Sequence, residues 1–312
     1  MSQKIAVLVP CYNEEQTVGK VVDDFRRELP EADIYVYDNN SSDRTSEIAA
    51  EHGAIVVAEP RQGKGNVVRQ MLRDIDADCY VMVDGDDTYP AENVHAVIAP
   101  ILDGTADHVV GDRISGGEYG SENKRAFHGF GNSLVRWLIK TLYGFSYDDV
   151  MTGYRAFNKV FAKTLPVLSD GFQIETELSI HAVDKRWRIA QVPIEYRDRP
   201  AGSESKLDTI PDGMRVLKMI FSLLKDYKPL GFFLILACIS AVVGLALGLP
   251  VVWEFQATGL VERLPTAIMA VAFCGLAAAL LICGVILDTV VKGNRRNWEL
   301  QVMDLESRWR SS

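Results

Sequence analysis

The sequence predicts an α/β protein, a mostly parallel sheet covered by helices on both faces and followed by two membrane-spanning helices. Three observations carry this expectation. Short apolar runs alternate with helix-spaced stretches through roughly the first third of the 312-residue chain, the pattern of a parallel sheet. Polar clusters stand at the ends of successive apolar runs, where ligands of such sheets gather. Finally, Leu230 to Val252 and Pro265 to Leu287 carry no charged residue. As helices, each would be about 35 Å long, enough for a hydrocarbon core of about 30 Å. Two buried core helices are the alternative, disfavoured by the length and adjacency of the stretches.

In chain order, Ile5 to Val9 is the first strand, too short for a signal-peptide core. Glu14 to Leu29 is a helix on the spacing of Val18, Val21, Val22 and Phe25. A strand at Ile34 to Tyr37, a helix at Thr45 to His52 and a strand at Ile55 to Ala58 follow. Lys64 to Asp74 is helical, Tyr80 to Val83 a buried strand, Glu92 to Leu102 a helix and His108 to Val110 a strand. After a segment with Gly116, Gly117 and Gly120, a helix with an apolar face and basic flanks carries Phe127, Phe130, Leu134, Trp137 and Leu142. Gly171 to Ala182 reads as a helix with Glu175 and Glu177 on different faces. Ile189 to Tyr196 reads as a strand that Pro193 restricts to an edge. Asp208 to Lys228, with Ile210, Met214, Leu217, Ile220, Phe221 and Leu224 on one side, reads as an interfacial helix. The expected organisation is a cytosolic domain over residues 1–207, the interfacial helix over 208–229, two spans over 230–291 (about 230–252 and 265–291) and a cytosolic tail over 292–312.

Charge and cysteines restrict the partners. The balance of 33 Lys plus Arg against 42 Asp plus Glu, a net −9, argues against nucleic acid, which needs a basic footprint. Lys225, Lys228, Lys292, Arg295 and Arg296 flank the spans, whereas the connection holds Glu254, Glu262 and only Arg263. The positive-inside rule therefore puts both ends in the cytosol. Five scattered cysteines without a C-x-x-C pair suggest reduced thiols in packed positions. Gly244 and Gly248 form a G-x-x-x-G, a pattern that supports a homo-oligomer through the spans.

The most informative stretch is Tyr80 to Pro90, where an apolar strand stops at Asp84, Asp86 and Asp87. Like charges this close call for a positive partner, and a divalent cation with oxygen ligands is one candidate. A solvated acidic turn is the other reading. The remaining strand ends favour a ligand site, because C-Y-N-E-E (Cys11 to Glu15), D-N-N-S-S-D (Asp38 to Asp43) and G-D-R (Gly111 to Arg113) would share one edge of the sheet. Gly63-Lys64-Gly65 is not a phosphate loop; it opens a helix as a turn or turns Lys64 to the ligand. Asp148, Asp149 and T-G-Y-R (Thr152 to Arg155) form a turn that brings an acid and an arginine near each other. Arg197 to Leu207 is rich in cations and hydroxyls, suited to a phosphate.

Together, Pro10-x-Tyr12-Asn13-Glu14, Asp38 with N-N-S-S-D, Asp84-x-Asp86, Gly111-Asp112-Arg113, Thr152-Gly153-Tyr154-Arg155 and Ser203-x-Ser205-Lys206-Leu207 resemble the inverting family-two glycosyltransferases of GT-A fold. The nearer likeness is to the polyprenyl-phosphate glycosyltransferases, and it covers nearly the whole chain. The resemblance implies that Pro10, Tyr12, Asn13, Glu14, Asp38, Lys64, Asp84, Ser205 and Lys206 bind a nucleotide-sugar. It implies Asp84 and Asp86 as ligands of Mg²⁺ or Mn²⁺, with Asp86 the more direct. It assigns Arg113 and Arg125 to a lipid phosphate and Asp149 to the catalytic carboxylate, with Asp86 and Arg113 also in the catalytic set. Asp87, Thr88 and Tyr89 stand where dolichyl-phosphate mannose synthases usually have L-Q, which leaves a third metal ligand open. The long N-N-S-S-D-R-T and His128 to Asn132 look more like bacterial or archaeal members that use UDP-sugars, such as UDP-GlcNAc or UDP-Glc, than users of GDP-mannose.

The expected partners are thus a nucleotide-sugar donor, a polyprenyl phosphate acceptor and the lipid bilayer of a cell membrane. An acceptor phosphate is already largely ionised at neutral pH, its second pKa being about 6, so Asp149 is expected to position rather than to remove a proton. Two rivals are weighed. A processive polysaccharide synthase would need a Q-x-x-R-W helix, but Val183 stands three residues before Arg186-Trp187. A silent membrane scaffold would not need the Asp84 and Asp86 pair.

Overall fold

The computed structural model describes residues 3–115, 126–171, 173–197, 225 and 227–311. The chain divides into two compact units, Met1–Gly213 and Met214–Ser312. The first is built on β1 (Ile5–Cys11), α1 (Val18–Glu28), β2 (Asp33–Asp38), α2 (Thr45–Glu51), β3 (Ile55–Ala58), α3 (Lys64–Asp74), β4 (Cys79–Met82), α4 (Val94–Leu102), β5 (His108–Asp112), α5 (Ala126–Tyr143), β6 (Arg155–Asn158), α6 (Lys159–Thr164), α7 (Ile174–Asp184) and β7 (Ile189–Pro193). The seven strands lie in the order β3-β2-β1-β4-β6-β5-β7.

Burial on both faces explains why the strands read as continuous apolar runs. In β1, Val7 and Val9 join a cluster with Val18, Val22 and Phe25 of α1 and Val94, Val97 and Ile98 of α4. Ala6 and Leu8 enter the opposite cluster with Val68 and Met71 of α3, Phe161 of α6 and Leu178 of α7. Two-residue alternation of the strand thus feeds two cores at once.

One strand was not legible as such. Arg155–Asn158, with only Arg155 expected as the end of a turn, forms β6, which pairs antiparallel with both β4 and β5. Four residues that begin with arginine and end with asparagine offer no apolar periodicity, and their burial is decided by the neighbouring strands. The consequence for the site is small, because two antiparallel steps return β5 to the direction of β4. Gly111 to Arg113 therefore still emerges at the same edge as the ends of β1, β2 and β4. β7 is an edge strand, as Pro193 requires, and pairs parallel with β5. Of the Arg186-Trp187 pair, Trp187 meets Phe161 edge to face with ring centroids 5.6 Å apart, and Arg186 is exposed.

The second unit contains α8 (Pro229–Thr258), 30 residues, and α9 (Leu264–Ser311), 48 residues. Both contain a segment long and apolar enough to cross a membrane. Pro229 opens α8 where no intrahelical N–H partner is needed, and Gly259 closes it at φ +69°. α9 runs on as one helix through the segment expected as a tail, about 72 Å in all.

The two helices pack closely on small residues. Ser240 donates to the Phe273 carbonyl at 2.8 Å. A Cβ on Gly244 would lie 2.7 Å from Cys274 Sγ, and one on Gly248 would lie 3.3 Å from the Ala270 Cβ. The G-x-x-x-G face expected to serve an oligomer is therefore spent inside the hairpin. Ile235, Val242 and Val271, each more than 60% exposed, face outward. The interfacial helix expected at 208–229 falls almost entirely outside the described residues.

Candidate active site

The ends of β1 and β2 are laced together before any ligand is considered. Asn13, at φ +53°, accepts the Ser42 N–H at 2.8 Å, and its own N–H donates to Ser41 Oγ at 2.9 Å. The Glu14 N–H donates to Thr45 Oγ1 at 2.8 Å. Asp38 accepts from the Ser41 N–H and from Ser46 Oγ, at 3.2 and 2.8 Å. The N-N-S-S-D-R-T stretch is thus first a scaffold that fixes Asn13, Glu14 and Asp38 beside one another. Pro10 sits in β1 beyond the last residue paired with β4, where its missing N–H costs no ladder bond. Tyr12 is 38% exposed at the rim. The Cys11 thiol is buried, and burial, together with the surrounding carboxylates, pushes its pKa well up. It is an inert packing residue there, not a nucleophile.

The three acids after β4 separate into three environments. Asp87, at φ +58°, turns to α1 and pairs with Lys20 at 2.7 Å. Asp86 is 4% exposed and accepts from Thr88 Oγ1 at 2.6 Å and from the Thr88 N–H at 3.3 Å. Asp84 receives Lys64 Nζ on Oδ1 at 2.5 Å. Gly85 between them is tightly packed, since a Cβ would lie 2.5 Å from Cys11 Sγ and displace that side chain. Its carbonyl accepts from Thr17 Oγ1 at 2.7 Å, which ties the turn to the start of α1.

Lys64 is the link that the sequence left open. It is the first residue of α3, and its Nζ also reaches Glu175 Oε1 of α7 at 2.5 Å. Burial opposes its charge, but the Asp84 and Glu175 carboxylates outweigh it and hold its pKa above the ordinary lysine range. The flanking glycines are steric necessities: a Cβ on Gly63 or on Gly65 would lie 2.1 Å from the carbonyl oxygen of Asp170 or Ser169. Glu175, 6% exposed, was read from sequence only as one face of a helix. The signal that could have found it is an acid in the first turn of a helix whose apolar residues leave no solvent face.

At the end of β5, Arg113 meets Asp149. Asp149 is fully buried, and its Oδ2 accepts from Arg113 Nε at 2.6 Å. Its Oδ1 accepts from Arg113 Nη2, from Asn132 Nδ2 of α5 and from the Met151 N–H, at 3.2, 3.1 and 3.1 Å. Arg113 also lies over the Tyr196 ring, 5.2 Å from its centroid, and donates to Tyr89 Oη at 3.4 Å. Tyr89 Oη accepts the Gly153 N–H at 2.9 Å, and burial keeps this phenol protonated by raising its pKa. A Cβ on Gly153 would lie 2.4 Å from Asp84 Oδ2, so the T-G-Y-R turn closes directly on the acid turn.

The acid and arginine expected near each other in that turn, Asp149 and Arg155, lie near enough to interact but do not form an ion pair. Arg155, fully buried, donates instead to the Val150 and Thr152 carbonyls at 2.6 and 3.0 Å and to Ser179 Oγ at 2.9 Å. It braces the loop that presents Asp149. Arg125, Ser203, Ser205 and Lys206 lie outside the described residues.

Among the described residues, no cluster of three acidic, histidine or cysteine side chains is arranged to hold a metal. Two carboxylates from one turn, Asp84 and Asp86, fit a hard divalent ion that draws its other oxygens from a substrate phosphate and water. All-protein coordination does not fit this donor set.

Comparison with known proteins assigns the chain to a family. Residues 6–163 match the family model described as glycosyl transferase family 2. The chain is 32% identical over 303 residues to glycosyltransferase AglJ of Haloferax volcanii, covering 97% of this chain and 98% of that protein. It is 34% identical to the dolichyl-phosphate hexose transferase of the same organism, over 69% of this chain and 92% of that one. Among solved structures, glucosyl-3-phosphoglycerate synthase from Mycobacterium tuberculosis, in complex with Mn²⁺, UDP-glucose and phosphoglyceric acid, superposes with a TM-score of 0.56 at 25% identity. The match covers 72% of this chain and 79% of that one. The mostly parallel sheet is thus the GT-A fold, its polar strand ends gather at one edge, and the chain belongs to glycosyl transferase family 2.

Proposed function

We propose that the protein transfers a sugar from a nucleotide-sugar, in the favoured reading a UDP-sugar such as UDP-Glc or UDP-GlcNAc, to a polyprenyl phosphate, with inversion at the anomeric carbon. The observation that carries the reading is the closure of the Asp84–Asp86 turn against the loop whose Asp149 holds Arg113. Carboxylates for a metal–diphosphate and a fixed guanidinium for a second phosphate stand on one edge of the sheet, in a chain that also carries two apolar helices. The dolichyl-phosphate hexose transferase among its relatives supports the acceptor class, and the UDP-glucose and Mn²⁺ of the structural neighbour support the donor.

In this mechanism the scaffolded loops of Tyr12, Asn13, Glu14 and Asp38 seat the nucleoside, and Asp84 and Asp86 would hold Mg²⁺ or Mn²⁺. The ion, when bound, stabilises negative charge on the leaving diphosphate. Arg113, oriented by Asp149, holds the acceptor phosphate on the other face of the sugar. An ionised phosphate oxygen bonds to C1 as the bond from C1 to the diphosphate breaks, its electron pair leaving with the nucleoside diphosphate. No proton needs removal, because the acceptor phosphate is ionised near neutral pH, its second pKa being about 6.

The test is a panel of UDP- and GDP-sugars offered with a short polyprenyl phosphate to sealed vesicles containing the full chain. We expect a sugar-linked polyprenyl phosphate from a UDP-sugar supplied on the cytosolic face, and a loss of at least about a hundredfold in Asp86→Ala. Product from GDP-mannose alone would move the donor class. Full turnover by Asp86→Ala would remove the metal role.

A further inference from the structure

We infer that Lys64, shared between Asp84 and Glu175, is a built-in counter-ion that keeps the donor-free site poor in divalent metal, so that the ion enters together with the donor diphosphate. The inference rests on the metal reading above and concerns this chain's own lysine.

Of the two acid-turn carboxylates not paired with Lys20, Asp84 gives its Oδ1 to Lys64 at 2.5 Å. The other, Asp86, already gives Oδ1 to Thr88. A cation approaching the donor-free turn therefore meets one carboxylate neutralised by an ammonium and another engaged in its own turn. Lys64 cannot drift off to solvent. Its side chain is 10% exposed, and the helix that begins with it is wedged by Gly63 and Gly65 against the Ser169 and Asp170 carbonyls.

Glu175 gives the device a second position. Its side chain is 8% exposed and equally close to Nζ, at 2.5 Å, so the ammonium stays paired if Asp84 turns to another cation. A buried lysine without such a partner would strongly resist release from Asp84, because an unpaired buried charge is costly. When a diphosphate arrives, it brings oxygen ligands and negative charge in one step. Asp84 and Asp86 would then be able to hold the ion beside the phosphate oxygens while Lys64 remains on Glu175 or reaches the phosphate itself. Glu175 thus acts as a positioning residue for Lys64, and through it for Asp84.

The two partners should shift metal affinity in opposite directions. Mn²⁺ binding to the full-length chain in detergent, read by the loss of the free-ion electron paramagnetic resonance signal with and without UDP, measures this apart from turnover. Wild type should bind Mn²⁺ at least about tenfold more tightly with UDP than without. Lys64→Met should tighten nucleotide-free binding by about tenfold, whereas Lys64→Arg, which keeps the charge, should not. Glu175→Gln, which confines the ammonium to Asp84, should weaken binding with UDP by about tenfold. Unchanged or weaker nucleotide-free binding in Lys64→Met overturns the inference. If that variant does not fold, Glu175→Gln decides alone, and undiminished Mn²⁺ affinity with UDP overturns it. A wild-type chain that takes up no Mn²⁺ even with UDP overturns the metal reading itself.

Discussion

At the scale of single residues, the site is governed by which carboxylate faces which cation. Asp149 has both oxygens occupied and no exposure, so in the proposed mechanism it acts through Arg113. Asp149→Asn is expected to leave Arg113 buried without its anion and to cost about 3 kcal/mol of stability. In the steady state it should raise KM for the acceptor more than it lowers kcat. A fall in kcat at unchanged KM, with a shifted pH–rate profile, would instead make Asp149 a base. The same logic separates the three acids after β4. Their spacing showed a charge problem, but only the packed structure assigns Asp87 to Lys20 and Asp84 to Lys64.

At the scale of elements, small residues mark where backbones must approach. Gly63, Gly65, Gly85 and Gly153 each stand against an atom that a methyl group would overlap, and all four contacts join segments distant in sequence. G-K-G was therefore weak evidence as a motif and is decisive as geometry, because the residues it packs on lie more than a hundred positions away. The hairpin behaves likewise. Gly244→Leu would drive a side chain into Cys274 and Ala270, and overpacking of this kind costs about 1–3 kcal/mol. Thermal melting in detergent should fall accordingly. Unchanged melting with a changed oligomeric state would return the G-x-x-x-G to an intermolecular role.

For the whole molecule, two buried imidazoles tie stability to pH. His108 packs on Phe161 at 4.7 Å and touches Arg155 at 3.3 Å, and its pKa is driven well below the usual value by burial and then by Arg155. Burial, helped by Lys185, lowers His181 to about 4. In the unfolded chain both titrate near about 6.5. Above that pH neither state binds these protons, so stability does not change on their account. As pH falls through it, the unfolded state gains protons that the folded state refuses, and stability declines, for His181 down to about pH 4. Each contributes up to about 1.4 kcal/mol per pH unit in that window. Melting temperature should therefore drop between about pH 7 and pH 5, and His181→Gln should flatten the slope. A flat wild-type profile would show that these rings accept protons when folded.

The sequence by itself determined the layered α/β class, the strand ends that meet at one edge and the two apolar helices, because periodicity, charge and helix length act within a few residues of one another. The polar strand ends also drew attention to Asp84, Asp86 and Arg113, whereas Asp149 entered through the resemblance to the family. The sequence could not determine that Arg155–Asn158 becomes a strand, that Arg113 rather than Arg155 neutralises Asp149, or that Glu175 shares Lys64 with Asp84. Those outcomes depend on which buried charges find one another across 20 to 111 residues, and only the tertiary structure decided them, because an ion pair forms where the fold leaves no water to take its place.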